Sequence, residues 1–153
     1  MTFRLTIHRT EPAPSEVGPV AVDLAMPSDV DKVGTVVELM AGQCFAGQAP
    51  CARTAFRLKV TLAEALSNAI LRGNGADPDK QVFVHAELTS DAIHLSVQDQ
   101  GPGLDPARWD AGPVLPDELE SEGGRGLFII KHLADQVGFS DQGNTIWMTL
   151  PRS

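Results

Sequence analysis

The sequence predicts a two-layer α/β sandwich of the α+β kind, with one mixed, mostly antiparallel sheet and helices packed on one face. Three observations predict it. Segments alternating with period two stand at both ends of the chain and in its middle. Two segments of helical period follow one another between residues 28 and 71, and a third lies near residue 125. The two central alternating runs are separated only by Thr89-Ser90-Asp91, which demands an antiparallel hairpin. The resulting order is ββααββαββ, within a single domain spanning residues 1–153.

Phe3 to Arg9 and Val20 to Met26 read as two strands, joined by the proline-rich loop TEPAPSEVGP. From Pro27 the period changes. Ser28 is the expected N-cap, Asp31 its capping-box partner, and Val30, Val33, Val37, Met40 and Cys44 fall at helical spacing. GQAP breaks this helix, and a second runs from about Ala52 through Leu71 to end at Gly73 or Gly75. Next come QVFVHAEL and AIHLSVQD, the hairpin, ending on Asp99. Residues 100–123 are dominated by proline, glycine and acids, a composition that buries little and reads as a long functional loop. Helical spacing resumes over Arg125 to Asp135 with Leu127, Ile130 and Leu133, and the chain closes with QVGFSD and NTIWMTL, joined at Gln142 and Gly143.

Composition narrows the function classes. Hydrophobic residues make up 42% and charged residues 21%, as in globular domains, and no apolar run approaches the roughly 20 residues of a membrane span. The opening MTFRLTIHRTEPAP has neither an apolar h-region nor a small-residue cleavage site, so the expected location is the cytoplasm. Twenty acids against twelve bases, net charge −8, argue against a nucleic-acid partner. Cys44 and Cys51 form no CxxC, and His8, His85, His94 and His132 fall at no zinc spacing relative to them.

The second helix carries the first chemical signal, "EALSNAILRG". Leu58, Leu62, Leu66 and Ala69 line one face and suffice for packing, while Glu64 and Asn68 project together from the other, one turn apart. Taken alone, such a pair reads as a solvated polar face. Chemically, a carboxylate can accept a proton from an attacking hydroxyl, and a carboxamide oxygen can ligate Mg²⁺ without adding negative charge. "DQGPG" after a strand and "GGRGLFII" opening a helix come next, in that order.

These three segments resemble the N box and the two glycine boxes of the GHKL, or Bergerat-fold, ATPase superfamily. The wording "GRGLFIIKHLAD" and the short chain are most similar to the anti-sigma-factor serine/threonine kinases of bacterial partner-switching systems. The resemblance covers about residues 27–150 and implies a Bergerat ATP-binding fold with ATP and Mg²⁺ as cofactors. It makes Glu64 the catalytic base, Asn68 the Mg²⁺ ligand, and residues 100–123 the ATP lid. Asp99 would accept a hydrogen bond from the adenine amino group and repel the guanine carbonyl, so ATP is expected over GTP. Gly101 and Gly103 would let the backbone approach the base. Gly124, Arg125, Gly126 and Leu127, expected just ahead of and at the start of the helix, would bind phosphate through free N–H groups and the Arg125 charge. Arg72 stands where many relatives carry His or Lys, and reads either as a further phosphate contact or as a solvated helix end. Thr145 matches a family threonine near the adenine, although Asn144 replaces the usual preceding glycine. Trp109 is either a lid anchor or a partner contact.

The function so implied is ATP-dependent phosphorylation of a serine or threonine on an anti-sigma-factor antagonist. A sigma factor or another regulator would be the second client, and the resemblance also admits a homodimer. A non-catalytic ATP-dependent binding module would share the pocket but has no need of Glu64. The ATPase half of a histidine kinase is expected to follow a helical segment bearing a phosphoacceptor histidine, and no such segment is read here.

Overall fold

The computed structural model describes residues 5–16, 18–46, 49–102 and 122–152. Strands β1 (Thr6–Thr10) and β2 (Val20–Pro27) are followed by a short 3-10 turn, Val30–Lys32, and by helices α1 (Val33–Cys44) and α2 (Ala52–Asn68). A π-helical turn, Ala69–Gly73, extends α2. Strands β3 (Gln81–Leu88) and β4 (Ala92–Gln98), helix α3 (Glu122–Leu133), and strands β5 (Gln136–Phe139) and β6 (Thr145–Pro151) complete the order ββααββαββ.

The six strands lie in the order β1-β2-β3-β4-β6-β5. Every pairing is antiparallel, so the mixed character expected from the sequence is absent among the described residues. Strand alternation divides the residues cleanly. Val22, Leu24 and Met26, Val82, Val84 and Ala86, Ile93, Leu95 and Val97, and Ile146, Met148 and Leu150 are buried beneath the helices. Val36, Val37, Met40 and Cys44 of α1, Leu58, Leu62, Leu66 and Ile70 of α2 with its π turn, and Ile130 of α3 close the core from above. The opposite face carries His8, Asp23, His85, Ser96 and Trp147 in one transverse row. There His85 Nδ1 meets Asp23 Oδ1 at 2.6 Å. No helix among the described residues is long and apolar enough to cross a membrane.

Three local expectations change. Asp29, not Ser28, caps the first helical turn, its Oδ1 accepting from Asp31 N–H at 3.0 Å. Ser28 is instead buried and donates to the Lys80 carbonyl at 2.9 Å. Helix α3 starts at Glu122, not at Arg125, so Gly124, Arg125 and Gly126 lie inside the helix rather than ahead of it. Most of the expected lid, residues 103–121 with Gly103 and Trp109, lies outside the described residues, as do the first residues of the expected N-terminal strand.

Candidate functional site

The site assembles where α2 and its π turn pass between α3 and the ends of β4 and β6. Glu64 and Asn68 are half-buried on α2. Gly126 of α3 sits directly on both: a methyl group added there would lie 2.9 Å from Glu64 Oε2 and 3.1 Å from Asn68 Nδ2. Without a Cβ at this position the tips of both side chains lie against α3, so the carboxylate and the carboxamide meet at one spot beneath it. Gly126 lies a full turn into α3, and its own N–H therefore falls outside the unpaired first-turn set to which Gly124 belongs. The Arg125 side chain lies outside the described residues.

The π turn builds the other end. Its i→i+5 bond, Asn74 N–H to the Ala69 carbonyl at 2.8 Å, holds one residue more than an α turn and rotates the residues after it by about 100°. Gly73 is thereby pressed against the Asp99 side chain, and Gly101 against the Gly73 carbonyl, so closely that a Cβ on either would collide. The Asp99 carboxylate accepts from Gly101 N–H at 2.8 Å through Oδ1. Its Oδ2 accepts no hydrogen bond among the described residues. Burial pushes the Asp99 pKa up, opposed by the Gly101 N–H and by the Lys80 charge. An ionised carboxylate only accepts hydrogen bonds, so this half-buried one is suited to a donor such as an exocyclic amine. The Gly101 expectation thus acquires a different physical reason: the close approach it permits is to the end of α2.

Arg72 is exposed on the π turn, with its neighbour Leu71 also in solvent. Leu127 is half-buried against the core. Thr145 opens β6. It pairs with Gln98 and alternates with buried Ile146, so it belongs with Trp147 and Thr149 on the face turned from the helices. Asn144, one residue earlier, continues the register opposite Asp99, whose N–H donates to the Asn144 carbonyl at 2.9 Å. Asn144 Oδ1 also accepts from Ser140 Oγ at 3.2 Å.

Sequence reasoning missed one further residue. Asn74 is 2% exposed, and its side chain makes three hydrogen bonds, with both donors used. Its Oδ1 accepts from Gln100 N–H at 2.7 Å, and its Nδ2 donates to Ser28 Oγ at 2.8 Å and to the Gln81 carbonyl at 3.0 Å. The dipeptide Asn74-Gly75 signals only a helix stop, because all three partners belong to other segments of the chain.

No three His, Cys, Asp or Glu side chains cluster as a metal cage among the described residues. The Asn68 carboxamide oxygen is a hard, neutral donor that fits Mg²⁺ completed by phosphate oxygens and water, as this ion prefers. The arrangement has two ends: an acid end, Glu64 with Asn68 under Gly126, and a base end, Asp99, where the sequence leads one to expect the base.

Known proteins resemble this chain. The serine-protein kinase RsbW of Bacillus licheniformis is 35% identical over 99 residues, 60% of this chain and 61% of the relative. RsbW of Bacillus subtilis is 32% identical over the same length and coverage. The anti-sigma F factor of Halalkalibacterium halodurans is 30% identical over 81 residues, 52% of this chain and 56% of the relative. The chain spans under two thirds of the length of these relatives. Residues 26–150, from the end of β2 to the end of β6 and including both ends of the site, match the histidine kinase-like ATPase domain, and the chain belongs to that family.

Proposed function

We propose that this protein is an ATP-dependent serine/threonine kinase acting as an anti-sigma factor or related partner-switching regulator, whose substrate is an anti-sigma-factor antagonist. The observation that carries the reading is the convergence of Glu64 and Asn68 beneath Gly126, with Asp99 packed against Gly73 in the π turn that continues the same helix. In this reading Asn68 holds Mg²⁺, and Asp99 accepts from the adenine amino group. Glu64 takes the proton of the attacking serine or threonine hydroxyl as its oxygen bonds to the γ-phosphorus and the bond to ADP breaks. The ion supplies charge neutralisation along the triphosphate. Gly124, at the start of α3, contributes an N–H free for phosphate. The relatives named serine-protein kinase and anti-sigma factor support the substrate class and a sigma factor as second client.

The test is transfer of label from γ-labelled Mg-ATP to proteins of the producing cell's extract, with the parent and with Glu64→Gln. An acid-stable label on a partner that depends on Glu64 is expected, because phosphoserine and phosphothreonine esters survive acid. An acid-labile label would indicate a histidine kinase half. ATP binding without any labelled partner would replace the kinase by a binding module.

A further inference from the structure

We propose that Asn74 is a positioning residue for nucleotide selection, holding the peptide that follows Asp99 so that the Asp99 carboxylate meets the base at a fixed height. The inference rests on the ATP reading of the site and adds to it a residue that touches no nucleotide.

The geometry is a clamp. Asp99 is held on one side by its N–H to the Asn144 carbonyl, and on the other by the next N–H, that of Gln100, to Asn74 Oδ1 at 2.7 Å. Asn74 is held in turn by Ser28 at the end of β2 and by the Gln81 carbonyl at the start of β3. The ring is closed by Gln81 N–H donating to Gln100 Oε1 at 2.7 Å, and by Ser28 Oγ donating to the Lys80 carbonyl. One side chain thus ties the end of α2's π turn, two strand ends and the Asp99 loop together. Only a carboxamide of this length supplies one acceptor and two donors: aspartate lacks the donors, serine is too short to reach all three partners, and either change leaves buried groups unpaired. The neighbouring contact of Gly73 with the Asp99 side chain leaves that carboxylate no room to follow a shifted backbone.

The test measures dissociation constants for Mg-ATP and Mg-GTP by titration calorimetry, in the parent, Asn74→Ser, Asp99→Asn and the double variant. Asn74→Ser should lower the ATP preference about tenfold, the scale of one unpaired buried donor. Added to Asp99→Asn it should leave the ratio unchanged, because the group it positions no longer discriminates. Equal weakening of ATP and GTP, or the same loss of ratio in both backgrounds, would make Asn74 merely structural and overturn the proposal. If Asn74→Ser does not melt cooperatively, Ser28→Ala decides. It removes only the hydroxyl behind Asn74 and should lower the ratio about threefold, half the free energy of the tenfold change, whereas an unchanged ratio overturns the proposal. A parent that binds ATP and GTP equally overturns the base-reading assignment itself, and the role of Asn74 with it.

Discussion

The two ends of the site are held by different forces. At the base end, Asp99 is fixed by a closed ring of hydrogen bonds through Asn74, Ser28, Gln81 and Gln100, and by Gly73 and Gly101 packed backbone to backbone. At the acid end, the tips of the Glu64 and Asn68 side chains lie against Gly126 of α3. Rigid groups thus meet rigid groups at one end, and flexible side-chain tips meet a helix at the other. Selection of the base should therefore be coupled to stability, while phosphoryl transfer should be separable from it. Substitutions confined to one end can break or sharpen that contrast.

The largest expected effect is at the acid end and is purely chemical. Glu64→Gln keeps the volume beneath Gly126 and removes the proton acceptor, so transfer should fall by roughly 10² to 10⁴ while Mg-ATP affinity and melting temperature stay at parental values. A melting temperature that fell with the activity would show Glu64 to be part of the framework, and would erase the contrast.

Next in size is a matched pair of glycine substitutions. A Cβ at Gly73 meets the Asp99 side chain down to its Cβ, 2.8 Å away, so the backbone must move. Gly73→Ala should cost about 1–3 kcal/mol of stability, as overpacking does, and should weaken ATP binding with it. At Gly126 the same methyl meets Oε2 of Glu64 at 2.9 Å and Nδ2 of Asn68 at 3.1 Å, both ends of flexible side chains. Gly126→Ala also gains helix propensity of about 1 kcal/mol inside α3. It should melt at or above the parental temperature while its Mg²⁺-dependent ATP affinity falls about tenfold through displaced Asn68, on the scale of one hydrogen bond to a charged group. Equal thermal losses in the two variants, read by calorimetric melting, would sink the distinction between the ends.

Legibility in the sequence divides along the same line. Periods of two and 3.6 were sufficient for the element order, and the Leu58, Leu62, Leu66 stripe placed Glu64 and Asn68 off the core face, where they meet α3, because these signals are local. The base end depends on contacts between remote segments. Ser28 looks like an N-cap because its real partners are Lys80 and Asn74, about fifty residues away. Thr145 matches a family threonine near the adenine, but a step of register, invisible in an alternating run, sets it opposite Gln98 and on the same face as exposed Trp147. The start of α3 at Glu122 is hidden by its own glycines, whose low helix propensity is overridden by packing on α2.

The smallest expected effect concerns Asp99 and has opposite signs for stability and binding. Burial, the leading cause, raises its pKa, against the Gly101 N–H and the Lys80 charge. A carboxyl more easily protonated in the folded than in the unfolded state weighs against folding when ionised. That penalty is full above the raised pKa and is relieved as pH falls through it toward the ordinary value of 3.8. Binding runs the other way, since only the ionised form is a pure acceptor for an adenine amine, and ATP affinity should decline over the same interval. Asp99→Asn removes the charge and can still accept from Gly101 N–H, so the nucleotide-free variant should melt slightly higher than the parent at pH 7. Because the side chain is only half-buried, solvent screening keeps the rise below the roughly 2–4 °C that 1 kcal/mol gives a domain of this size. The same variant should bind ATP more weakly by about 1–3 kcal/mol, the worth of a hydrogen bond to a charged group. Melting curves with and without Mg-ATP measure both quantities together. If the nucleotide-free variant melts lower than the parent, the carboxylate stabilises the base end, and the stability given up at this position for binding would have to be sought elsewhere in the clamp.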